Sequence, residues 1–424
     1  RKAMLATMTG IFEDFGFAPV ETPAMEFLDI LLGKYGEEGD KLIYPLAYKG
    51  GKTLGLRYDL TVPLSRLVAM NPDLPRPFKR YQIQPVWRAD RPQPAQGRFR
   101  EFYQCDVDTI GSAAISADAE NLAVCYRVYE AFGFNDAECG LVMRVNNRKL
   151  LRAIVEAVGL PGNSDRVVCT ALDKIDKIGR EAVESELRDK GIAASAIASL
   201  FEVIACGQST GGEPRQTLAA VRDRLGTADA AVAAGDEMAQ LFDALDALEV
   251  PANILRFDLV LTRGLDYYTG PIYEFALSGL DNFGSLGGGG RYDDLMANYG
   301  VGDLPATGVS IGLSRVQSAL QRLGRIGSRR SPAQALILRL GDHGVEHSLR
   351  LATRLRRSGV PCEVWYEPDR FKKQIQHADR LGIPFVVIQG PDELERGVVQ
   401  LKDIRKGEQR EIAEGDLADQ LRAS

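Results

Sequence analysis

The sequence predicts a sheet-based α+β domain, interrupted by a helical insertion and followed by a separate α/β domain. Three observations carry this. Runs with a strand's period of two alternate with amphipathic helical stretches up to residue 159 and resume near Ile254. Between them, residues 160–252 are Ala-rich and helical in pattern, with no strand of any length. After a Gly/Ser/Arg linker at 324–331, strand and helix patterns alternate again to the end of the chain. The expected divisions are 1–159 and 253–325 for the two parts of the first domain, 160–252 for the insertion, and 326–424 for the last domain.

Within 1–16, Met4, Met8, Ile11 and Phe15 recur at helical spacing, so an amphipathic helix is expected there. An extended segment, 17–23, ends it at Pro23. Stretches 41–48 and 53–57 read as strands joined by a Gly50-Gly51 turn. Asp59 or Thr61 then caps a helix through Met70, with Pro63 tolerated in its first turn; either residue could instead be a ligand. Stretches 78–88 and 98–109 form a further strand pair. Their connector, 89–97, is long, polar and flanked by arginines, a kind of loop that often carries function. Period two places Arg98, Arg100, Phe102, Gln104, Asp106 and Asp108 on one face. That face is either solvated or the floor of a polar site. In the second case Arg88 and Arg98 would hold phosphates and Phe102 would stack on a base, worth ~1–3 kcal/mol.

Helix 117–132, strand 141–145 and helix 147–158 precede the insertion, in which 207–212 reads as a mobile connector. The decade 261–270, LTRGLDYYTG, follows a strand-like run at 257–261 and precedes another at 271–277. It is a turn at the mouth of a sheet. Arg263 there presents a fork of donors suited to a carboxylate or phosphate, while Tyr267 and Tyr268 supply hydroxyls and flat apolar walls. A β-hairpin with a surface salt bridge is the plainer alternative. Four consecutive glycines in 284–293, GSLGGGGRYD, let a backbone approach a small molecule or form a floppy loop; neither P-loop nor dinucleotide spacing is present. Strand 305–311 runs directly into a helix. Arg315 falls in its first turn, where the dipole does not favour a cation, so an external anion is the expected reason.

The last domain reads strand 335–340, helix 343–358, strand 361–366, helix 370–380, and strands 384–388, 397–401 and 409–413. Its helices carry Arg350, Arg354, Arg356 and Arg357, then Arg370, Lys372, Lys373 and Arg380: a solvated face or a surface for a polyanion. A net charge of −6 disfavours indiscriminate nucleic-acid binding but leaves room for such a patch. Six scattered cysteines without a CxxC pair point to reduced, mostly buried thiols in a cytoplasmic protein, with no zinc site or disulfide frame. The three histidines, His343, His347 and His377, leave no His-based triad or metal centre for the first 340 residues. No signal peptide or membrane-length apolar run is visible, and the start at Arg1 leaves room for a preceding native segment.

Together these segments resemble the class II aminoacyl-tRNA synthetases, most specifically the histidyl-tRNA synthetase family, over nearly the whole chain. The first helix, strand and Pro23 look like the dimer-interface motif of the class. FKRYQIQPVWRADRPQPAQGRFREFYQCDVDTIG looks like its second motif and GVSIGLSR like its third. RGLDYYTG and GGGGRYD resemble the two histidine-binding signatures of the family, and LRYDLTVPLSR a further substrate loop. The stretch from FKKQIQHADRLGIPFVVIQG onward resembles its anticodon-binding domain. The resemblance implies an antiparallel six- to seven-stranded catalytic sheet flanked by helices, with a helical insertion and a C-terminal α/β anticodon-binding domain.

It also implies roles. Arg88 and Arg315 would hold the ATP phosphates with help from Arg98, and Phe102 would stack on adenine. Asp59, Thr61 and Gln104 would meet the histidine ammonium, and Asp108 and Tyr268 the two imidazole nitrogens, with Tyr267 and Tyr292 shaping the pocket. Arg263 would bridge the histidine carboxylate and the α-phosphate. The implied partners are L-histidine, ATP with its Mg2+, tRNA(His) and a second copy of the chain, with no resident metal and no membrane. The rival is a synthetase-like regulatory subunit of histidine biosynthesis; such relatives lack the anticodon domain and disturb RGLDYYTG, and both are intact in this sequence. Ser314 stands where the family usually has glutamate.

Overall fold

The computed structural model describes residues 1–32, 40–160, 164–262, 267–280, 283–300, 302, 304–326, 330–340 and 345–423. They belong to two units, Arg1–Leu323 and Gly324–Ser424. In the first unit the strands are β1 (Ala18–Pro19), β2 (Met25–Phe27), β3 (Pro45–Ala47), β4 (Thr53–Leu56), β5 (Phe78–Trp87), β6 (Glu101–Ile110), β7 (Leu141–Asn147), β8 (Leu255–Phe257), β9 (Pro271–Leu277), β10 (Gly287–Arg291) and β11 (Ala306–Gly312).

Eight of them form one sheet in the order β1-β5-β6-β11-β10-β9-β7-β8, so the described sheet exceeds the six or seven strands expected. Its interior is antiparallel, but each edge strand runs parallel to its neighbour: β1 with β5, and β8 with β7. β5 and β6 are the long alternating stretches of the sequence, paired Arg80↔Asp108, Gln82↔Asp106 and Gln84↔Gln104. β2, β4 and β3 make a small separate sheet.

Several local expectations shift. The first helix, Lys2–Asp14, buries Met4, Met8 and Phe12 rather than Ile11 and Phe15, because Phe15 already lies past the last turn as its C-cap. The strand expected at 257–261 stops at Phe257: Leu261 N–H bonds back to Asp258 O at 3.0 Å, and the Asp258 carboxylate takes Arg144 Nε at 2.5 Å. The connector expected at 207–212 starts later, since helix Ala194–Ser209 runs through Gly207. Helices fill the described part of the insertion. Helix Asp229–Ala247 packs on helices Ile115–Ala131 and Arg148–Ala157, tying the insertion to the sheet domain.

The largest change concerns the glycine run. Gly287–Gly290 is no loop but the body of a central strand, β10, bonded to β9 on one side and β11 on the other. A Cβ at Gly289 would lie 2.0 Å from Gly308 O, and one at Gly287 2.4 Å from Ser310 O. Side chains are excluded there, and the sheet presents bare backbone. β10 is anchored at its end by Arg291, which is buried and ion-paired with Asp118; its Nη1 donates to Ser112 O at 3.0 Å and its Nη2 to Ala114 O at 3.1 Å. Thr307 Oγ1 donates to the other oxygen of Asp118 at 2.8 Å, which locks β11 to the same helix.

The second unit contains β12 (Ala335–Ile337), β13 (Cys362–Val364), β14 (Phe385–Ile388), β15 (Val398–Asp403) and β16 (Gln409–Ala413), in the order β13-β12-β14-β15-β16. β13 and β14 flank β12 in parallel and the last two strands are antiparallel. Ala335 and Ile337 pack into one core with Leu351 and Leu355, whereas Leu336 packs into another with Ala378 and Ile383. Helices Val345–Arg357 and Phe371–Leu381 thus cover opposite faces. Much of the charge on the first is matched internally: Arg354 pairs with Glu414, and Arg356 Nη2 donates to Cys362 O at 2.9 Å. On the second, Lys372 and Arg380 point to solvent.

Candidate active site

β6, β10 and β11 line a cavity of about 330 Å³ together with the start of helix Thr61–Met70 and the tyrosines after residue 266. Its lining includes Asp59, Thr61, Arg88, Phe102, Gln104, Asp106, Asp108, Tyr267, Tyr268 and Tyr292, over the glycines 287–289. These ten residues, nine of them (all but Asp106) with a role expected from the sequence, therefore meet at one place, although they span more than 230 positions of chain.

Each is held by its own local reason. The N-cap of helix Thr61–Met70 is Leu60, and not Asp59 or Thr61 as expected, but Asp59 just before it still accepts Val62 N–H on Oδ1 at 3.1 Å and lines the cavity as well. Its Oδ2 accepts the Tyr267 hydroxyl at 3.3 Å. Tyr267 sits edge-on between Tyr268 and Tyr292, with centroids at 4.9 and 5.9 Å. Tyr268 lies over Gly290, where a Cβ would come within 2.7 Å of its ring, and burial raises its hydroxyl pKa. Arg88 donates from Nη2 to Gln104 Oε1 and from Nε to Tyr58 O, both at 3.1 Å, with its guanidinium 5.0 Å from the centre of the Phe102 ring. Gln104 in turn donates to Ser310 Oγ at 2.8 Å.

The floor of the cavity is charged and dry. Asp106 and Asp108 are 3% and 2% exposed, and Arg80 beneath them is 0% exposed. Arg80 Nη2 lies 2.5 Å from Asp108 Oδ2, while Asp108 Oδ1 accepts the Tyr292 hydroxyl. Burial pushes the Asp106 carboxyl up to about 7, with the neighbouring Asp108 adding to the effect. Burial raises Asp108 as well, against the opposing pull of Arg80 and Tyr292.

Two predicted phosphate ligands are placed differently. Arg98 is half exposed, pairs with Asp90 at 3.4 Å and does not line the cavity. Arg315 is in the first turn of helix Leu313–Arg322 as expected, but its partners are internal: Nε donates to Ser285 O at 2.9 Å and Nη1 to Gln96 O at 2.7 Å. Carbonyl oxygens thus account for its place without an external anion. Burial, then Arg98, lowers its pKa to about 10. Arg263 lies outside the described residues, as does His343.

Comparison with known proteins decides the family. The histidyl-tRNA synthetase model matches residues 1–316, and an anticodon-binding-domain model matches 334–424. The chain belongs to the histidyl-tRNA synthetase family. It is 40% identical over 446 residues to the histidine–tRNA ligase of Gloeobacter violaceus, covering 97% of this chain and 92% of that one. It is 37% identical to the corresponding ligase of Cytophaga hutchinsonii, over 99% and 95% of the two chains. The crystal structure of histidyl-tRNA synthetase from Nostoc sp. PCC 7120 superposes with a TM-score of 0.84 at 31% identity, covering 99% of this chain and 94% of that chain. The fold is accordingly of the class II synthetase type. Among the described residues, no helix is long and apolar enough to cross a membrane.

Sequence reasoning within this family overlooked Arg80, Ser310 and Gly308, and saw Asp106 on the right face without giving it a role. A signal existed. Arg80, Gln82 and Gln84 repeat with period two inside a strand, a polar stripe that makes sense only beside another such stripe. What was missing was the register that brings the stripes together.

Proposed function

We propose that this chain is a histidine–tRNA ligase that joins L-histidine to ATP, releases diphosphate, and passes the histidyl group to the 3′ end of tRNA(His). The observation that carries this is one cavity in which Asp59, Asp108 and Tyr268 stand beside Arg88 and Phe102 above side-chain-free strand backbone. Asp59, Thr61 and Gln104 receive the ammonium of histidine. Asp108 and Tyr268 face the two imidazole nitrogens, a carboxylate and a phenol matching one ring donor and one ring acceptor. Tyr267 and Tyr292 wall the pocket. Such hydrogen-bonded selection rejects apolar analogues strongly, because buried polar groups left unpaired are costly.

Arg88 takes the phosphates from the cavity wall and Phe102 stacks on adenine; Arg98 and Arg315 assist only by giving up their bonds to Asp90, Ser285 and Gln96. The histidine carboxylate attacks the α-phosphorus in line, forming the acyl phosphate bond as the bond to diphosphate breaks. The terminal ribose hydroxyl of tRNA then displaces AMP from the adenylate. No side-chain nucleophile takes part; placement and positive charge at the phosphates supply the acceleration. Arg263 bridges the two reacting groups on the strength of its motif. Magnesium enters with ATP as part of the substrate. The unit Gly324–Ser424, whose residues 334–424 match an anticodon-binding domain, reads the anticodon. The enzyme works as a cytoplasmic homodimer, on the strength of the family resemblance.

ATP–pyrophosphate exchange tests this. Exchange is expected only with histidine present; exchange indifferent to histidine refutes the proposal. Arg263→Ala is expected to abolish exchange while tRNA binding, followed by filter retention, stays nearly unchanged.

A further inference from the structure

We propose that Arg80 is a positioning residue for the amino-acid pocket, fixing the Asp108 carboxylate as the acceptor that faces the substrate side chain. The inference rests on the histidine-activating function proposed above and extends it below the cavity lining.

Arg80 does not line the cavity, and its side chain is wholly buried. A guanidinium in that position is expensive unless charge and donors are matched. Its Nη2 is 2.5 Å from Asp108 Oδ2, yet among the described residues none of Nε, Nη1 and Nη2 makes a hydrogen bond of ordinary geometry. The guanidinium therefore acts on the carboxylate chiefly as a charge. Its N–H groups do not build a scaffold of their own, as those of Arg291 do with Asp118, Ser112 and Ala114.

Register explains the aim. Asp108 on β6 is opposite Arg80 on β5 and opposite Gly308 on β11. A Cβ at Gly308 would fall 1.8 Å from Asp108 Oδ1, so the carboxylate occupies the space that the missing side chain leaves. Arg80 holds Oδ2 from one neighbouring strand, Tyr292 holds Oδ1 from beyond β10, and the glycine opens the third side. Held in this way, Asp108 lines the cavity.

The charged neighbours make the cation necessary. Burial acts first to keep a proton on Asp108, and Asp59 ahead of helix Thr61–Met70 adds to it, while Arg80 and the Tyr292 hydroxyl oppose them. Tyr268, from the tyrosine pair, is the further titratable group close enough to interact. Without Arg80 the balance tips towards a neutral Asp108, which as a carboxylic acid accepts an imidazole N–H far less well.

The test is histidine-dependent pyrophosphate exchange by the full-length protein between pH 6 and pH 8.5, with KM measured for both substrates. Titration of free histidine is common to all variants and cancels in ratios to wild type. For Arg80→Gln the KM for histidine is expected to rise at least tenfold at pH 6 and distinctly less at pH 8.5, with the KM for ATP within twofold. Arg80→Lys keeps the charge and should recover most of the loss. If Arg80→Gln does not fold, the same ratios are taken for Arg80→Gln/Asp106→Asn against Asp106→Asn, where less unbalanced charge is buried. A ratio independent of pH, or equal changes in both KM values, overturns the role of Arg80. Absence of histidine-dependent exchange in the wild type overturns the proposed function itself, a separate outcome.

Discussion

Replacing Gly308 by alanine adds one methyl group at the wall that Asp108 leans on. The new carbon would start 1.8 Å from Asp108 Oδ1 and 2.4 Å from its Cγ. An ordinary carbon contact is about 3.5 Å, so the carboxylate must retreat by more than ~1.5 Å. Retreat along either side is blocked: one oxygen is held by Tyr292 and the other by Arg80. The expected loss is one charge-assisted hydrogen bond to the amino acid, ~1.5–3 kcal/mol. That corresponds to a roughly 10- to 150-fold higher KM for histidine. Crowding should also lower stability by ~1–3 kcal/mol. The assay is pyrophosphate exchange at saturating ATP, with a thermal melt of the same preparation. Gly10→Ala is the control, because Gly10 is inside helix Lys2–Asp14 with nothing within 4 Å of its virtual Cβ. That change should leave KM alone and add up to ~1 kcal/mol of helix stability. A folded Gly308→Ala protein whose KM for histidine stays within twofold of wild type would show that Asp108 does not face the substrate.

Phe102→Ala should raise the KM for ATP by about 5- to 150-fold, the equivalent of ~1–3 kcal/mol of stacking, with a smaller effect on histidine; an unchanged ATP KM would remove Phe102 from the adenine site. Asp106 is pushed up from 3.8 to about 7 in the folded state, so the native protein holds its proton more tightly than the unfolded chain. Its contribution therefore favours folding at low pH and is lost as pH rises from about 4 to about 7, and Asp106→Asn should gain stability relative to wild type across that window, by up to ~4 kcal/mol. Urea denaturation at several pH values measures this, and a pH-independent difference would refute it. A chain ending after Arg325 should retain pyrophosphate exchange and lose tRNA charging, since the boundary between units falls at Leu323–Gly324 and the second unit has cores of its own. Undiminished charging by that fragment would contradict the division.

Element types were largely legible without coordinates, because each depends on local periodicity. The long strands β5 and β6, the helix after Asp59 and the alternating second unit follow from spacing alone. Residue chemistry raised Arg88, Phe102 and the tyrosine pair as one of two readings, and the family resemblance supplied the pocket roles of Asp59, Thr61, Gln104, Asp108 and Tyr292. Gly287–Gly290 misled in one respect. Composition says only that side chains are missing, and a central strand and a loose loop share that trait.

What the chain by itself determined was which stretches are strands or helices and which residue types a polar pocket could recruit. Only the tertiary structure decided partnership: that Arg80 meets Asp108, that Gly308 makes room for that carboxylate, and that Arg315 spends its donors on Ser285 and Gln96. The physical reason is range. Periodicity is set by backbone geometry over a few residues, whereas a one-position slip between strands distant in sequence would exchange every one of these neighbours.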